Sequence, residues 1–322
     1  MDESRNAALY LSAVTSIDAA YVGTVSGGSR LQGLSFKPLV TVEGNVDGDE
    51  QVVADFGSIK KKIKEAIDDK LHGYDHKLLY DPKQVSVEPG HLVGTSHLTV
   101  ADHGMLISGD TRGMRPVHNL GDSQDIPGTI CTSLGTYLGV KFPDFRFSVT
   151  YDAEAEGIPF SSRLQHHGYA CTKPVYFDYM HGLPRSTSWG CQFIAHGHLS
   201  FVQLLRDAAG ERASLYRDEP EDLELAADIA QSLNNTYIVN RAYYWQAKGT
   251  DFIRYTSRDR GVFSLHAAGD NLSLVFLDTE TTIENIAAYV ERVWRKRLSA
   301  CGITALYLSE GLQKGCLVRV SS

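Results

Sequence analysis

The chain of 322 residues repeats one pattern at a distance of roughly half its length, and this repeat constrains the fold more than any other feature. The segment SIDAAYVG (16–23) matches YFDYMHGL (176–183), and RLQGLSFKPLV (30–40) matches AHGHLSFVQLL (195–205). In each pair, the spacing and the order of apolar and polar positions agree. Self-similarity at a fixed distance indicates one structural unit used twice. Each half must therefore be able to form the same fold.

Both halves predict the same order of elements. Strand-like segments lead into a loop and an amphipathic helix, within 55–76 in the first half and 219–239 in the second, where apolar residues recur at helical spacing. A second helix and alternating, strand-like segments close each copy. This order predicts an α+β protein of two domains, 1–160 and 161–322. The Gly- and His-rich segment 82–125 is predicted to add one or two hairpins to the first half.

Composition excludes several classes of function. The chain is 43% hydrophobic and 22% charged, as in globular proteins with a sizeable core, and its net charge of −8 argues against a general binder of nucleic acid or membrane surfaces. Five cysteines without a CxxC spacing predict neither a disulfide framework nor a structural zinc knuckle. The N-terminal residues do not resemble a leader peptide, and we expect a cytoplasmic protein.

Three histidines and a cysteine lie close together in the second half. If AHGHLSFVQLL is a strand, His196 and His198 leave the same face, because alternate residues of a strand point the same way. His181 ends the preceding strand-like run and is expected to lie on the neighbouring strand. Three neutral imidazoles leave one tetrahedral position of zinc open, which is typical of catalytic sites. Cys191 is close enough in sequence to lie beside such a metal, which would lower the pKa of its thiol.

These residues carry a resemblance to a known family. GCQFIAHGH, with a histidine upstream, resembles the Cys-then-HGH signature of the 6-pyruvoyl-tetrahydropterin synthase and 6-carboxytetrahydropterin synthase family. The segments VVADFGSIKKKIKEAID, LHGYDHKLL, TTIENIA and LYLSEG resemble further segments of that family. The resemblance implies the tunnelling fold, in which each domain is an antiparallel sheet with two helices on one face. It also implies a zinc-dependent lyase that acts on 7,8-dihydroneopterin triphosphate.

The resemblance also implies roles for individual residues. They form three groups: metal ligands, catalytic residues and residues that bind the pterin. The groups are, in this order, His181, His196 and His198; Cys191, Asp75 and His76; and Glu310, Thr282 and Glu284. A carboxylate such as that of Glu310 can accept two hydrogen bonds from the 2-amino group and N3–H of a pterin.

Each half departs from the family pattern in a different way. In the first half, Tyr21, Leu31 and Gly33 stand where the metal-binding histidines are expected, so we predict no zinc there. In the second half, Asn234 and Asn235 replace the Asp-His pair. The resemblance therefore implies that the first, degenerate half supplies the Asp-His pair and the second supplies the metal and the thiol. Whether they meet within one chain or between chains stays open.

The function predicted from the resemblance is formation of 6-carboxy-5,6,7,8-tetrahydropterin, on the route to 7-deazaguanines and queuosine. The short spacing between the cysteine and HGH favours this product. The alternatives are a 6-pyruvoyl-tetrahydropterin synthase that releases triphosphate, and a catalytically silent pterin-binding or scaffold protein. We also predict a homo-oligomer in the form of a closed ring, because open sheet edges would otherwise stay unpaired.

Simpler interpretations exist for several of these residues. His76 could complement a helix dipole, and 282–284 could cap a helix. Glu310 could be a solvated strand residue, although it shares an apolar face and then needs a partner. Asp102–His103 is a second potential acid–histidine pair. His166–His167 is a second histidine pair, but adjacent strand residues point to opposite faces.

Overall fold

A computed structural model describes residues 5–12, 14–25, 28–46, 52–89, 95–100, 104–120, 123–151, 164, 168–207, 216 and 219–321. Three sequence predictions lie outside these residues: the domain boundary at 160/161, the pair Asp102–His103 and the pair His166–His167. None of the helices in the described ranges is long and apolar enough to cross a membrane.

The described residues form helices and strands in mixed order, which confirms the predicted α+β class. The helices are α1 (Phe56–Ile67), α2 (Ile126–Lys141), α3 (Pro220–Leu233) and α4 (Ile283–Ala300). The strands of the first half are β1 (Arg5–Leu11), β2 (Ile17–Val25), β3 (Gly28–Phe36), β4 (Pro38–Val46), β5 (Leu78–Tyr80), β6 (Val85–Pro89), β7 (Thr95–Val100), β8 (Met105–Asp110), β9 (Met114–Pro116) and β10 (Arg146–Tyr151). The strands of the second half are β11 (Tyr169–Cys171), β12 (Val175–His181), β13 (His196–Asp207), β14 (Thr236–Asn240), β15 (Tyr244–Ala247), β16 (Thr250–Ser257), β17 (Gly261–Ala268), β18 (Ser273–Leu277), β19 (Ala305–Glu310) and β20 (Lys314–Arg319).

Local sequence explains where the first-half helices begin. Asp55 precedes α1, and its carboxylate accepts a hydrogen bond from the backbone N–H of Ser58 at 2.7 Å. Asp125 caps α2 in the same way through the N–H of Gly128. Such caps satisfy backbone donors that the first helical turn leaves unpaired.

The strands form four sheets. Sheet I has the order β3-β2-β5-β9, and sheet II has the order β18-β14-β12-β13-β19-β20 with β11 also paired to β13. Sheet III is β1-β4-β10. The prediction of purely antiparallel sheets is wrong: β5 runs parallel to β2 and β9, and β14 runs parallel to β12 and β18. A helix separates β4 from β5 and β13 from β14, and a connection of this length allows parallel pairing.

Sheet IV contains strands of both halves, in the order β15-β16-β17-β8-β7-β6. The predicted extra hairpins in 82–125 are its strands β6, β7 and β8, which pair antiparallel. The second half contributes the corresponding hairpins β15, β16 and β17, which the sequence analysis did not identify. Because β8 pairs with β17, the two halves share one sheet.

Sheets I and II repeat one local arrangement. The backbone N–H of Asp18 on β2 donates to the carboxylate of Asp75 at 2.9 Å, and the N–H of Asp178 on β12 donates to the side-chain oxygen of Asn234 at 3.0 Å. The residue after each acceptor lies in the left-handed region, at φ 56° in one half and 57° in the other. Equivalent positions of the sequence repeat therefore have equivalent backbone geometry.

The two repeated sheets touch at glycine positions. A side chain at Gly33 would place its Cβ 2.4 Å from the carbonyl oxygen of Tyr179 and 2.6 Å from the backbone of His198. A side chain at Gly197 would place its Cβ 2.7 Å from the carbonyl oxygen of Ala19. The backbones of β3 and β13 approach closely because both positions lack a Cβ. This contact brings first-half residues next to the HGH strand.

A hydrophobic core also joins the halves. Buried side chains of the first half, such as Val22 and Leu78, belong to the same cluster as Met180, Phe193 and Tyr237 of the second. Separate clusters lie beneath the helices of each half. Burial of apolar surface at the shared cluster therefore stabilises the contact on which the site depends.

Candidate metal and thiol site

Three buried histidines converge at the ends of two paired strands. His181, the last residue of β12, lies opposite His196, the first residue of β13, and His198 leaves β13 on the same face. The side chains of His181 and His198 are fully buried, and one ring nitrogen of each of the three residues lies within 4.8 Å of the others. The strand register therefore brings together the three predicted ligands.

The ring nitrogens of this group have few protein partners. Among the described residues, Nε2 of His181 and both ring nitrogens of His196 and His198 make no hydrogen bond. Unpaired buried polar atoms are costly unless something else satisfies them. A divalent transition metal fits this set of donors, because imidazole suits such ions.

The surroundings of His181 and His196 keep these two imidazoles in the neutral form that binds metals. Burial, followed by repulsion from His198, lowers the pKa of His181 to about 3. Burial and the neighbouring histidines also lower the pKa of His196 well below its usual value. At neutral pH, each of these two rings is therefore unprotonated on one nitrogen and can bind a metal through its lone pair.

Two groups orient the outer nitrogens of these rings. Nδ1–H of His181 donates to the carbonyl oxygen of Thr281 at 2.7 Å, which leaves Nε2 unprotonated and directed into the cluster. Nδ1 of His198 lies 3.5 Å from the carboxylate of Asp18, which also accepts a hydrogen bond from the hydroxyl of Ser35. Partners of this kind fix the tautomer and orientation of metal-binding histidines. Asp18 belongs to the first half, so the contact crosses between halves.

The carboxylate of Asp18 is ionised. Burial by itself raises the pKa of Asp18, but the charge interactions with His198 and His76 and the hydrogen bond from Ser35 outweigh burial and lower this pKa to about 2. The sequence repeat could have pointed to Asp18 as a candidate site residue, because Asp18 and Asp178 occupy equivalent positions. Ser35 has the same kind of signal, since it corresponds to Ser200 in the repeat, whereas only the packing identifies Thr281.

Glu310 ends β19 beside the histidines. One carboxylate oxygen, Oε1, lies 3.7 Å from Nε2 of His198 and 3.9 Å from Nε2 of His181. The other oxygen, Oε2, accepts a hydrogen bond from Nζ of Lys314 at 2.9 Å. Burial raises the pKa of Glu310, but the histidines and Lys314 outweigh burial, and the net shift is downward.

The thiol of Cys191 lies in a single-turn helix, Gly190–Gln192, close to the histidine cluster. Its Sγ, one ring nitrogen of His76 and one of His196 lie within 4.8 Å of one another. Burial raises the pKa of the Cys191 thiol, but a hydrogen bond and charge attraction from His76 outweigh it, and the pKa is lowered. The site therefore favours the reactive thiolate.

His76 is paired on its other side with Asp75. Nδ1 of His76 and the Asp75 carboxylate form a short hydrogen bond. Burial lowers the pKa of His76, but Asp75 and then Cys191 raise it well above its usual value. Helix α1 ends at Ile67, so a role at the helix C-terminus does not account for His76.

The two halves meet at this point within one chain. The ring of His76 stacks on that of His196 with centroids 4.5 Å apart. A Cβ at Gly190 would lie 2.6 Å from Cβ of His76, so glycine allows the Cys191 loop to approach. The question that the sequence left open therefore has a geometric answer: the acid–histidine pair, the thiol and the three histidines lie together in a single chain.

Sheet IV holds the loop that carries the thiol. The side-chain amide of Gln192 donates to Asp259 at 2.7 Å, and its oxygen accepts from the backbone N–H of Asp259 at 2.9 Å. The guanidinium of Arg260 stacks over Trp189, 3.6 Å from the ring centroid, and pairs with Asp110 at 3.0 Å. The hairpin β16–β17 and the end of β8 thus fix the loop from both halves.

Two predicted pterin-binding residues have no described contact with the cluster. Thr282 is the residue before α4, and its side chain makes no capping hydrogen bond. Glu284 is exposed in the first turn of α4. Among the residues that the structure describes, the neighbouring Thr281 is the one that contacts His181 from this segment.

No protein-family model and no curated protein matches the sequence. A catalytic-residue mutant of 6-pyruvoyltetrahydropterin synthase from Plasmodium vivax is 17% identical, covers 47% of this chain and 94% of its own, and has a TM-score of 0.34. A crystal structure of the P. vivax enzyme is 14% identical over 65% of this chain and 96% of its own, with a TM-score of 0.33. The enzyme from Plasmodium falciparum is 15% identical over 66% and 96%, with a TM-score of 0.33. These values are too low to assign a family, so the functional conclusion rests on the site itself.

Proposed function

We propose that this protein is a zinc-dependent lyase that acts on 7,8-dihydroneopterin triphosphate. One observation carries the proposal: two groups of side chains lie in the same site. The first is three buried histidines with unpaired ring nitrogens, and the second is a thiol next to a histidine that is paired with an aspartate. The same residues were assigned to metal binding and proton transfer by the family resemblance. Two independent features of the chain, motif and geometry, thus support one chemistry.

His181, His196 and His198 would hold the zinc ion. When bound, zinc supplies a Lewis acid that polarises a substrate oxygen and so acidifies the neighbouring C–H bond. The protein orients two of the three ligands through Thr281 and Asp18. Burial keeps His181 and His196 in the neutral form that binds a metal.

Cys191 and His76 would move the proton. The Cys191 thiolate accepts the proton from the acidified carbon, and the His76 imidazolium donates one to the basic atom that develops as the substrate rearranges. Asp75 holds the ring of His76 through Nδ1 and stabilises its charged form. Acid and base are therefore present together before the substrate binds.

Glu310 is the group that we propose for recognition of the pterin, with Thr282 and Glu284 as further candidates from the resemblance. Its carboxylate is buried and ionised, and it can accept two hydrogen bonds from the 2-amino group and N3–H of a pterin. To do so, it has to turn away from the histidines that it faces in this structure.

The proposed product is 6-carboxy-5,6,7,8-tetrahydropterin, and the proposed assembly is a homo-oligomeric ring of chains, each a tandem duplication. The repeated geometry around Asp18 and Asp178 supports the duplication. Incubation of zinc-loaded protein with 7,8-dihydroneopterin triphosphate, followed by mass spectrometry, tests the reaction. We expect the carboxylated pterin from the wild type, no product after chelation, and formation slowed by about 10²–10⁴-fold in Cys191→Ala. A 6-pyruvoyl product would correct the product assignment, and an unchanged substrate would contradict the lyase.

A further inference from the structure

The contact between Glu310 and the histidines cannot be an ordinary hydrogen bond. Nδ1 of His181 donates its proton to the Thr281 carbonyl, so a neutral His181 presents a lone pair at Nε2. Oxygen Oε1 of Glu310 faces this nitrogen at 3.9 Å, and the other oxygen of the carboxylate pairs with the ammonium group of Lys314. Two acceptors directed at each other repel, unless a cation lies between them.

The distances fit two ligands of one metal ion. Bonds of about 2.0–2.2 Å in a tetrahedral zinc site place neighbouring ligand atoms about 3.3–3.6 Å apart. Oε1 of Glu310 lies 3.7 Å from Nε2 of His198 and 3.9 Å from Nε2 of His181. Small side-chain shifts would therefore bring all three atoms to bonding distance of a shared ion.

The other interactions of Glu310 leave Oε1 available. Lys314, whose side chain is half-exposed, binds only Oε2 and holds the carboxylate from the solvent side. The residue after Glu310 is Gly311, at φ 64°, and a side chain there would place its Cβ 2.4 Å from the Asp18 carboxylate. The turn that ends β19 therefore packs against the same group that orients His198.

We propose that Glu310 is the fourth protein ligand of the metal in the substrate-free protein, so that substrate gains access only when this carboxylate leaves. The proposal rests on the proposed function for the presence of the metal. Four protein ligands close a zinc site, whereas catalysis requires an open position. A pterin that offers two N–H donors to Glu310 would remove the carboxylate from the metal and open that position in the same event.

Metal affinity gives the first test. Zinc affinity is measured by competition with a chromophoric chelator for the wild-type protein, for Glu310→Gln and for Glu224→Gln, a matched change at an exposed position of α3. We expect Glu310→Gln to weaken zinc binding by at least about tenfold, as loss of groups around metal ligands typically does, and Glu224→Gln to match the wild type. Equal affinity in all three proteins would overturn the proposal, and a wild type that binds no zinc would overturn the proposed function as well.

Access of an external ligand to the metal gives a second test that does not depend on measured zinc affinities. In the Co²⁺-substituted wild type, azide should leave the visible d–d bands unchanged, because Glu310 occupies the fourth position. In Co²⁺-substituted Glu310→Gln, azide should replace a bound water and shift the bands. If azide shifts the spectrum of the wild type as readily as the spectrum of the variant, Glu310 is not a metal ligand. This conclusion holds even where the lyase assay shows full activity.

Discussion

The two halves of this protein have equivalent backbone geometry but different functional side chains. In the second half, His181, His196 and His198 are buried and converge. At the equivalent positions of the first half, Leu31 belongs to the hydrophobic core and Gly33 provides the close contact with the second half. The acid–histidine pair shows the reverse asymmetry, since the second half has asparagines there. Each half therefore has the part of the site that the other lacks, and the packing of sheet I on sheet II brings the two parts together.

The asymmetry in metal binding is the largest effect to test. His196→Ala and His198→Ala should each abolish zinc binding and with it all turnover, because the three convergent imidazoles of the described residues all belong to the second half. The matched control is His118→Ala, an exposed histidine of the first half, which should keep both. Zinc content by elemental mass spectrometry measures the outcome. Undiminished zinc in both variants would place the metal elsewhere.

The two halves should also differ in the reactivity of their thiols. Burial raises the pKa of Cys131 on α2 to about 12, whereas His76 lowers the pKa of Cys191. Because only the thiolate reacts, iodoacetamide at pH 7 should modify Cys191 at least about 10³-fold faster than Cys131. Peptide mass spectrometry over time measures both rates. In His76→Ala the rate at Cys191 should fall, since its pKa returns upward; comparable rates at the two cysteines in the wild type would contradict the ion pair.

Removal of either proton-transfer group tests whether the site depends on both halves. His76→Ala, from the first half, and Cys191→Ala, from the second, should each lower kcat by about 10²–10⁴-fold while zinc content stays unchanged. Cys316→Ser, at a partly exposed position on β20, is the control and should keep kcat. Full activity of His76→Ala would show that His76 has a structural role and does not transfer a proton.

The equivalent aspartates of the two halves provide a sharper comparison. Asp18 lies 3.5 Å from Nδ1 of His198, whereas Asp178 accepts a hydrogen bond from the backbone of Gly33 at 3.3 Å. Asp18→Asn should weaken zinc binding by about 10–100-fold, and Asp178→Asn should leave it unchanged. Chelator competition measures both affinities. The same affinity in the two variants would mean that Asp18 does not orient the ligand.

The smallest expected effect concerns the glycine contact between sheets. Gly33→Ala should lower the free energy of unfolding by about 1–3 kcal/mol, because its Cβ meets the backbone of β12 and β13. Gly139→Ala, on α2 with no atom near the added Cβ, should instead raise it by about 0.5–1 kcal/mol. Chemical denaturation measures both. A neutral Gly33→Ala would show that the halves separate easily at this contact.

Much of the fold could be predicted from the sequence because it depends on local patterns of residues. The helical spacing of Ile59 and Ile63 predicts α1, and the alternation in AHGHLSFVQLL predicts a strand with both histidines on one face. Parallel pairing and the second-half hairpins β15–β17 escaped prediction. Neither leaves a local signal, since each depends on which strands meet after a long connection.

The sequence by itself determined the chemistry that the second half can offer: a strand with alternating histidines, a nearby histidine and a thiol. It also determined that the first half has an acid–histidine pair, and that tyrosine, leucine and glycine stand at the positions equivalent to His181, His196 and His198. Only the tertiary structure decided that these groups share one site, that Asp18 faces His198 and that Glu310 faces the histidines. The reason is physical: spacing along a strand sets which side chains share a face, whereas contacts between distant segments depend on how closely two backbones can pack, and here glycine at 33 and 197 sets that distance.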